Sequence, residues 1–136
     1  MKIIIDTSTS MLELGKKDSM IYIVKSIQDY LDFNDYKYEV NDLEDNPVDS
    51  QQLNFAPNIN FNLENIDEKT VLISDGLFPI ENEIKKGVSI KVGIDADEKN
   101  LNKISSKVFD SENIIEALEL LLYSVDCNKE VDDDEW

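Results

Sequence analysis

Residues 1–10 read MKIIIDTSTS, an apolar run followed by one acid and four hydroxyl residues. Lys2 to Ile5 is a short, apolar, β-branched run that ends at Asp6, which is typical of a buried strand with a polar residue at its carboxyl tip. Two further buried-strand patterns occur at 70–74 and 88–94, and each is followed by an acidic residue. The sequence therefore predicts strands that deliver carboxylates to one edge of a sheet.

Helical patterns separate these strands. The first predicted helix has about four turns and starts with Asp18 as its N-cap, since apolar residues then recur on one helical face. Its apolar residues are Met20, Ile23, Val24, Ile27, Tyr30 and Leu31. A short helix is predicted over 80–86, closing on Gly87. Another covers 98–105, and a strongly apolar helix runs from Ser111 as its N-cap to about residue 125.

The remaining segments have weaker patterns. Alternating residues predict a half-exposed strand over 36–41, and a short strand is predicted over 107–109. Even spacing of apolar residues over 55–63 fits an edge strand, while 63–68 fits a short helix equally well. Strands alternating with helices predict a three-layer, Rossmann-like α/β fold with a doubly wound, mostly parallel sheet.

The length and the composition bound the domain organisation. The chain of 136 residues fits one domain, which we place at 1–125. Residues 126–136 contain six acids and one lysine, which predicts a disordered acidic tail. Its last residue, Trp136, is the only tryptophan, so an alternative interpretation makes it an anchor for a partner's pocket.

The charged residues exclude several function classes. The chain has 30 acidic and 13 basic residues, a net charge of −17, and neither histidine nor arginine. Histidine-dependent triads and imidazole-bound zinc are therefore excluded, and the single Cys127 cannot supply a thiolate cage. An acidic chain without arginine is not expected to bind nucleic acid. The lone cysteine and the lack of a long apolar run predict a cytoplasmic protein without a membrane segment.

Hydroxyl groups accompany the first of the strand-tip acids. Asp6, Asp75 and Asp95 each follow an apolar strand, and Ser8 and Ser10 lie two and four residues after Asp6. Ligands of doubly wound sheets bind at the carboxyl ends of the strands. Oxygen donors without nitrogen or sulfur suit Mg²⁺, and equally Mn²⁺ or Ca²⁺.

These motifs resemble those of the von Willebrand factor A (vWA) family. The run D-x-S-x-S at 6–10 follows the first strand, and V-L-I-S-D-G follows at 71–76, as in the metal-ion-dependent adhesion site of that family. The strand-helix-strand-helix pattern of 89–122 is also similar, so the resemblance covers most of 1–125. The chain thus resembles a compact vWA domain with a partial adhesion site.

The resemblance implies a set of metal ligands. Ser8 and Ser10 would ligate a divalent cation directly, and Asp6 would act mainly through bound water. Asp75 would lie beside the ion, directly or through water. In the family, a carboxylate from a partner protein completes the coordination shell, so the cation joins two proteins.

One family ligand has no counterpart in this sequence. The family usually adds a threonine from a loop before the S-D-G strand, but Thr70 is the only threonine after Thr9. Thr70 lies at the base of its strand, about 15 Å from the tip at ~3.3 Å per residue. A side-chain oxygen from the loop would have to replace it, or the loop ligand is lost. The asparagines available for this role are Asn58, Asn60 and Asn62.

Three functions follow as hypotheses. The first is a non-enzymatic protein-protein interaction module that docks a partner through the cation. The resemblance implies a MoxR-type AAA+ ATPase or another conflict-system protein as partner, and the charge of −17 favours a basic partner face. The second is a degenerate vWA scaffold that binds without metal. The third is a magnesium-dependent phosphatase-like enzyme with Asp6 as nucleophile, although Ser8 occupies the place of that class's second aspartate.

Overall fold

The structure is a computed structural model that describes residues 1–57, 59, 61, 64, 66–78, 80 and 82–122. Within these residues the strands are β1 (Lys2–Ile5), β2 (Glu39–Asp42), β3 (Thr70–Ser74), β4 (Val88–Lys91) and β5 (Lys107–Phe109). The helices are α1 (Lys16–Phe33), α2 (Glu98–Ile104) and α3 (114–122). Single 3₁₀ turns cover Thr9–Leu12 and Ser111–Asn113.

The strands form one parallel sheet in the order β2-β1-β3-β4-β5. Strands β2 and β3 pair with opposite sides of β1, which is the arrangement of a doubly wound sheet. The predicted fold class is therefore confirmed. The carboxyl ends of β1, β3 and β4 meet at the same edge. We call this edge, with the loops that follow those three strands, the carboxyl edge.

Alternate residues of the central strands face two separate cores. On one face, Ile3, Ile5, Val71 and Ile73 pack against the apolar sides of α1 and α3. On the other face, Ile4 and Leu72 pack against α2 and the loops. The sheet is therefore covered on both sides, which explains why β1 and β3 read as continuous apolar runs.

Helix α1 begins at Lys16, two residues before the N-cap predicted at Asp18. Gly15 is the N-cap, in a left-handed conformation with φ of 73°, and the Lys16 N–H donates to the Glu13 carbonyl. Asp18 lies in the first turn, where a carboxylate favours the helix dipole without capping it. Because the helix begins at Lys16, this residue lies at the carboxyl edge of the sheet.

The end of α1 shortens the next predicted strand. The N–H of Tyr36 donates to the Leu31 carbonyl and that of Asp35 to Asp32, with Asp35 at φ 58°. This is a Schellman arrangement, and it uses residues predicted as strand to terminate the helix. Strand β2 consequently covers Glu39–Asp42 rather than 36–41.

The helix predicted over 80–86 is wrong for the residues of that segment that the structure describes. The N–H groups of Ile84 and Lys86 instead donate to the carbonyls of Lys103 and Ile104. The segment thereby satisfies the last carbonyls of α2, which have no partners within their own helix. Gly87 closes no helix; it turns the chain into β4 with φ of 68°.

Two other element boundaries differ from the predictions. Strand β4 ends at Lys91, and Ile94 is 97% exposed because the chain turns at Gly93, where φ is 94°. The cap predicted at Ser111 moves to Asp110, because a 3₁₀ turn precedes α3. The predicted helix over 98–105 and the strand over 107–109 are confirmed to within one residue.

Short bridges extend the sheet at two places. Asn41 of β2 pairs with Pro47 in an antiparallel bridge, in which the Val48 N–H donates to the Val40 carbonyl. Ser8 pairs with Ala56 in a parallel bridge. The edge strand predicted over 55–63 is thus limited to this bridge in the part of it that is described.

The predicted acidic tail, Cys127 and Trp136 lie outside the described residues. No helix in the described part of the chain is both long enough and apolar enough to cross a membrane.

Candidate functional site

The carboxyl edge holds the candidate site. The Asp6 N–H donates to the Ile73 carbonyl at 3.0 Å, and the Val92 N–H donates to the Ser74 carbonyl at 3.0 Å. These bonds continue the sheet ladder one step beyond the strands, so Asp6 and Ser74 lie side by side. The site therefore grows directly out of the rigid sheet.

Asp6 is fully buried and its carboxylate is held by hydroxyl and amide donors. Its Oδ1 accepts from the Ser8 N–H at 2.8 Å and from the Ser8 Oγ at 2.6 Å. Its Oδ2 accepts from the Ser74 Oγ at 2.5 Å. Ser74 in turn accepts the Gly76 N–H at 2.9 Å, which fixes the direction of its own hydroxyl proton. Both carboxylate oxygens are thus hydrogen-bonded, and none of the described residues brings a cationic side chain to them.

Burial raises the pKa of Asp6 above its usual range. Hydrogen bonds from Ser74 and Ser8 oppose this rise, and the negative charge of Asp75 adds to it. A raised pKa means that the ionised form of Asp6 is less stable here than in water. A cation near the Ser8 side of this carboxylate would relieve that penalty.

Ser8 and Ser10 form the solvent-facing side of the site. Their Oγ atoms are 3.1 Å apart, and both residues are half-buried while Thr9 between them is exposed. Adjacent oxygen ligands of an octahedral Mg²⁺ are about 3 Å apart, given Mg–O distances of about 2.1 Å. The two hydroxyls therefore fit neighbouring positions around a hard divalent cation, with Asp6 behind Ser8.

Asp75, the fourth predicted ligand, has a different partner. Its Oδ2 accepts from the Lys16 Nζ at 3.0 Å, and its Oδ1 accepts from the Leu77 N–H at 3.0 Å. The Lys16 Nζ also contacts both oxygens of Asp95, at 2.9 and 2.8 Å. The side chains of Lys16 and Asp75 are fully buried, and that of Asp95 is 35% exposed. If Asp75 lies beside a metal ion, as the sequence predicts, it does so while it is also bonded to the Lys16 ammonium group.

The chain makes room for Lys16 at Gly93. A Cβ atom at position 93 would lie 2.8 Å from the Lys16 Cδ, closer than real contacts allow. Although burial works to lower the pKa of Lys16, its hydrogen bonds to Asp95 and Asp75 raise it. Lys16 is consequently a permanent cation in a site shaped to hold it.

No sequence pattern singles out Lys16 as a site residue. It lies in a segment interpreted as a polar loop, and a lysine beside another lysine gives no periodic signal. The one available signal was electrostatic: three acids predicted at one edge, in a chain without arginine or histidine, require a lysine or a metal ion to balance them.

Asp97 has a structural role. Its side chain accepts the Asn100 N–H at 3.1 Å and caps α2, and Asn100 donates to the carbonyls of Gly76 and Phe78. The loop after Asp75 is thereby tied to the start of α2. Asp97 thus supports the site without entering it.

The predicted place of Thr70 is confirmed. Its Oγ1 donates to Asp67 at 2.9 Å at the amino end of β3, far from the serines. Asn58, Asn60 and Asn62 lie outside the described residues. Ala56 exchanges backbone hydrogen bonds with Thr7 and Thr9 at 3.0 and 3.2 Å.

Any cation at this edge would depend on serine oxygens. No group of three or more acidic, cysteine or histidine side chains within the described ranges is arranged to hold a metal ion. Ser8, Ser10 and Asp6 nonetheless form an oxygen-only donor set that fits one hard cation.

Comparison of the chain with family models, with curated proteins and with solved structures finds no match. The vWA resemblance therefore stays a prediction from the two motifs.

Proposed function

We propose that the protein is a non-enzymatic interaction module that docks a partner protein through a divalent cation at Ser8, Ser10, Asp6 and Asp75. The observation that carries the proposal is the half-buried pair of serine hydroxyls at 3.1 Å, with a buried carboxylate behind one of them. Ser8 and Ser10 would bind Mg²⁺, or Mn²⁺ or Ca²⁺, directly. Asp6 would act through water, and Asp75 would do so while bonded to Lys16.

The partner follows from the same chemistry. Two hydroxyls leave the ion most of its positive charge, so a carboxylate from the partner would complete its shell. The surrounding chain carries a net charge of −17, so the partner's face around that carboxylate should be basic. By resemblance to the vWA family, we propose a MoxR-type AAA+ ATPase or another conflict-system protein, in the cytoplasm and without nucleic acid.

Titration with Mg²⁺ and Mn²⁺ by calorimetry tests the cation. We expect saturable binding by the wild-type chain and a loss of at least about tenfold in affinity for Ser10→Ala, because one direct ligand is removed. Thr9→Ala is the matched control, since Thr9 is exposed between the two serines and its removal should change nothing. Absence of binding in the wild type, or equal binding by S10A and T9A, would contradict the proposal.

A metal-free docking scaffold is the second candidate, and Lys16 is the observation that favours it. The ammonium group already neutralises Asp75 and Asp95, so that half of the site needs no metal ion. If the cation titration is silent while partner binding persists in EDTA, this candidate replaces the first.

The phosphatase-like alternative receives less support. Asp6 is fully buried, and both of its oxygens accept hydrogen bonds. A nucleophilic aspartate needs an oxygen that can reach the substrate's phosphorus. Hydrolysis of p-nitrophenyl phosphate that Asp6→Asn abolishes would restore this alternative.

A further inference from the structure

Exposed apolar side chains collect around the carboxyl edge. Nine large hydrophobic residues are exposed among those that the structure describes, and four of them lie on the loops after β1, β3 and β4. These four are Leu12, Leu14, Leu77 and Ile94. Folding gains nothing from apolar side chains that stay in water, whereas contact with a partner would bury them.

Leu14 and Ile94 are the least expected of these residues. Leu14 has φ of 55°, a left-handed conformation that glycine or asparagine adopts more easily, and its side chain is 67% exposed. Ile94 follows Gly93 and is 97% exposed. A sequence that breaks a local rule with no gain in packing points to a use outside folding.

Both residues line one of two adjoining grooves. One groove of about 550 Å³ is lined by Leu14 and Ile94, and a second of about 860 Å³ is lined by Tyr22 and Ile115. The two grooves share Ser19, Ser111 and Glu112 in their linings, so they lie side by side between α1 and the start of α3, and we call the pair the trough. Tyr22 is 70% and Ile115 45% exposed.

The charges of the trough select its occupant. Asp18 lines the larger groove, Asp110 the smaller and Glu112 both. The one lysine among the lining residues, Lys91, pairs with Glu98 at 3.4 Å and with Asp110 at 3.1 Å. An acidic rim around apolar residues complements an amphipathic segment with basic residues beside its apolar face.

The same charges disfavour two other occupants. A second copy of this chain would bring another net charge of −17 to an acidic rim. Residues 126–136 carry six acids against one lysine and would be repelled as well.

We propose that a partner protein docks a basic amphipathic helix in this trough, with apolar anchors on Leu14, Ile94, Tyr22 and Ile115. The inference rests on the proposed function only in taking the protein to be an interaction module, since the trough contains none of the predicted cation ligands.

The test uses a fluorescent helical peptide of about 18 residues, five turns, with leucines on one face and lysines on the other. A twin peptide carries glutamate in place of lysine. Binding is followed by anisotropy in EDTA, so that no divalent cation contributes. We expect the lysine peptide to bind the wild-type chain with an affinity that falls as salt rises, and the glutamate twin not to bind.

The double variant Leu14→Asn/Ile94→Ser should weaken binding of the lysine peptide at least about tenfold, because two central anchors are lost. Asparagine suits the backbone at position 14, so the variant should keep its fold, which circular dichroism would verify. Phe33→Ser is the matched control, since Phe33 is 88% exposed at the other end of α1. It should change the affinity less than twofold.

Three outcomes would overturn the inference. These are no binding by the wild-type chain, equal binding by L14N/I94S and F33S, and equal binding of both peptides. Self-association of the wild-type chain in sedimentation that L14N/I94S abolishes would identify a second copy as the occupant and would also overturn it. If the lysine peptide does not bind but Mn²⁺ still binds at the serines, the proposed function stands and only the trough proposal is rejected. If the peptide binds but the calorimetric titration shows no cation binding, only the cation is removed from the proposed function.

Discussion

The two halves of the carboxyl edge hold their carboxylates in different ways. In the serine half, Asp6 is surrounded by hydroxyl and amide donors and has no cationic partner among the residues that the structure describes. In the lysine half, Asp75 and Asp95 share the ammonium group of Lys16. Within the described part of the chain, a positively charged side chain is therefore present in the lysine half and absent from the serine half. The serine half is where an external cation would have the most to offer.

Removing the internal cation should have the largest effect. We expect Lys16→Met to lower the free energy of unfolding by about 3–5 kcal/mol, because Asp75 would remain buried and charged without a partner. The measurement is urea unfolding followed by circular dichroism.

Lys91→Met is the control, since Lys91 also bridges two acids but is 32% exposed. Its loss should cost less than about 1 kcal/mol. If K16M does not fold, the double variant Lys16→Met/Asp75→Asn should fold, because it removes both buried charges together. Equal losses of unfolding free energy for K16M and K91M would show that the buried Lys16 contributes no more to stability than the part-exposed Lys91.

Closing the space for Lys16 should have an intermediate effect. Gly93→Ala is expected to cost about 2–3 kcal/mol of unfolding free energy, because φ is 94° and the new Cβ would meet the Lys16 stem. Gly15→Ala is the matched comparison: φ is 73°, but no atom of the described residues lies within 4 Å of its Cβ position, so only about 1 kcal/mol should be lost. A similar cost at both positions would mean that the contact with Lys16 contributes nothing.

The serine half should make the free energy of unfolding depend on pH through Asp6. The folded-state pKa of Asp6 is raised by burial, so between its unfolded value near 3.8 and that raised pKa the folded chain binds more protons than the unfolded chain. Stability from this group is therefore present below about pH 4 and is lost as pH rises, by about 1.4 kcal/mol per unit of pKa difference.

Asp6→Asn removes the titration, so its stability relative to the wild type should improve as pH rises from about 4 to 7. Urea unfolding of both chains across this range gives the difference directly. A difference curve for D6N that falls with pH would reverse the assignment.

The secondary-structure predictions are confirmed where a buried element requires a simple pattern of apolar residues. Strands β1 and β3 are covered on both faces, so their residues form unbroken apolar runs, and the observed bounds match those predicted. The helix predicted over 80–86 is wrong because the helical spacing of its apolar residues has another cause. Ile80 and Ile84 contact the core that contains α2, while the backbone of 84–86 runs along the carboxyl end of that helix.

The site was predictable in the same uneven way. Asp6, Ser8 and Ser10 converge because they are adjacent in sequence and follow a strand tip, which local spacing reveals. The link between Lys16 and Asp75 spans 59 positions and depends on where α1 begins, which no local pattern records.

The bridge beside β2 bears on the addition of a further strand to the sheet. Asn46 and Val48 turn their bonding groups inward to β2, so the backbone of Pro47 faces outward. Proline has no N–H, and an incoming strand would find no donor at that point. At the far side, β5 is only three residues long. As far as the structure describes them, both margins of the sheet therefore offer few backbone groups to an added strand.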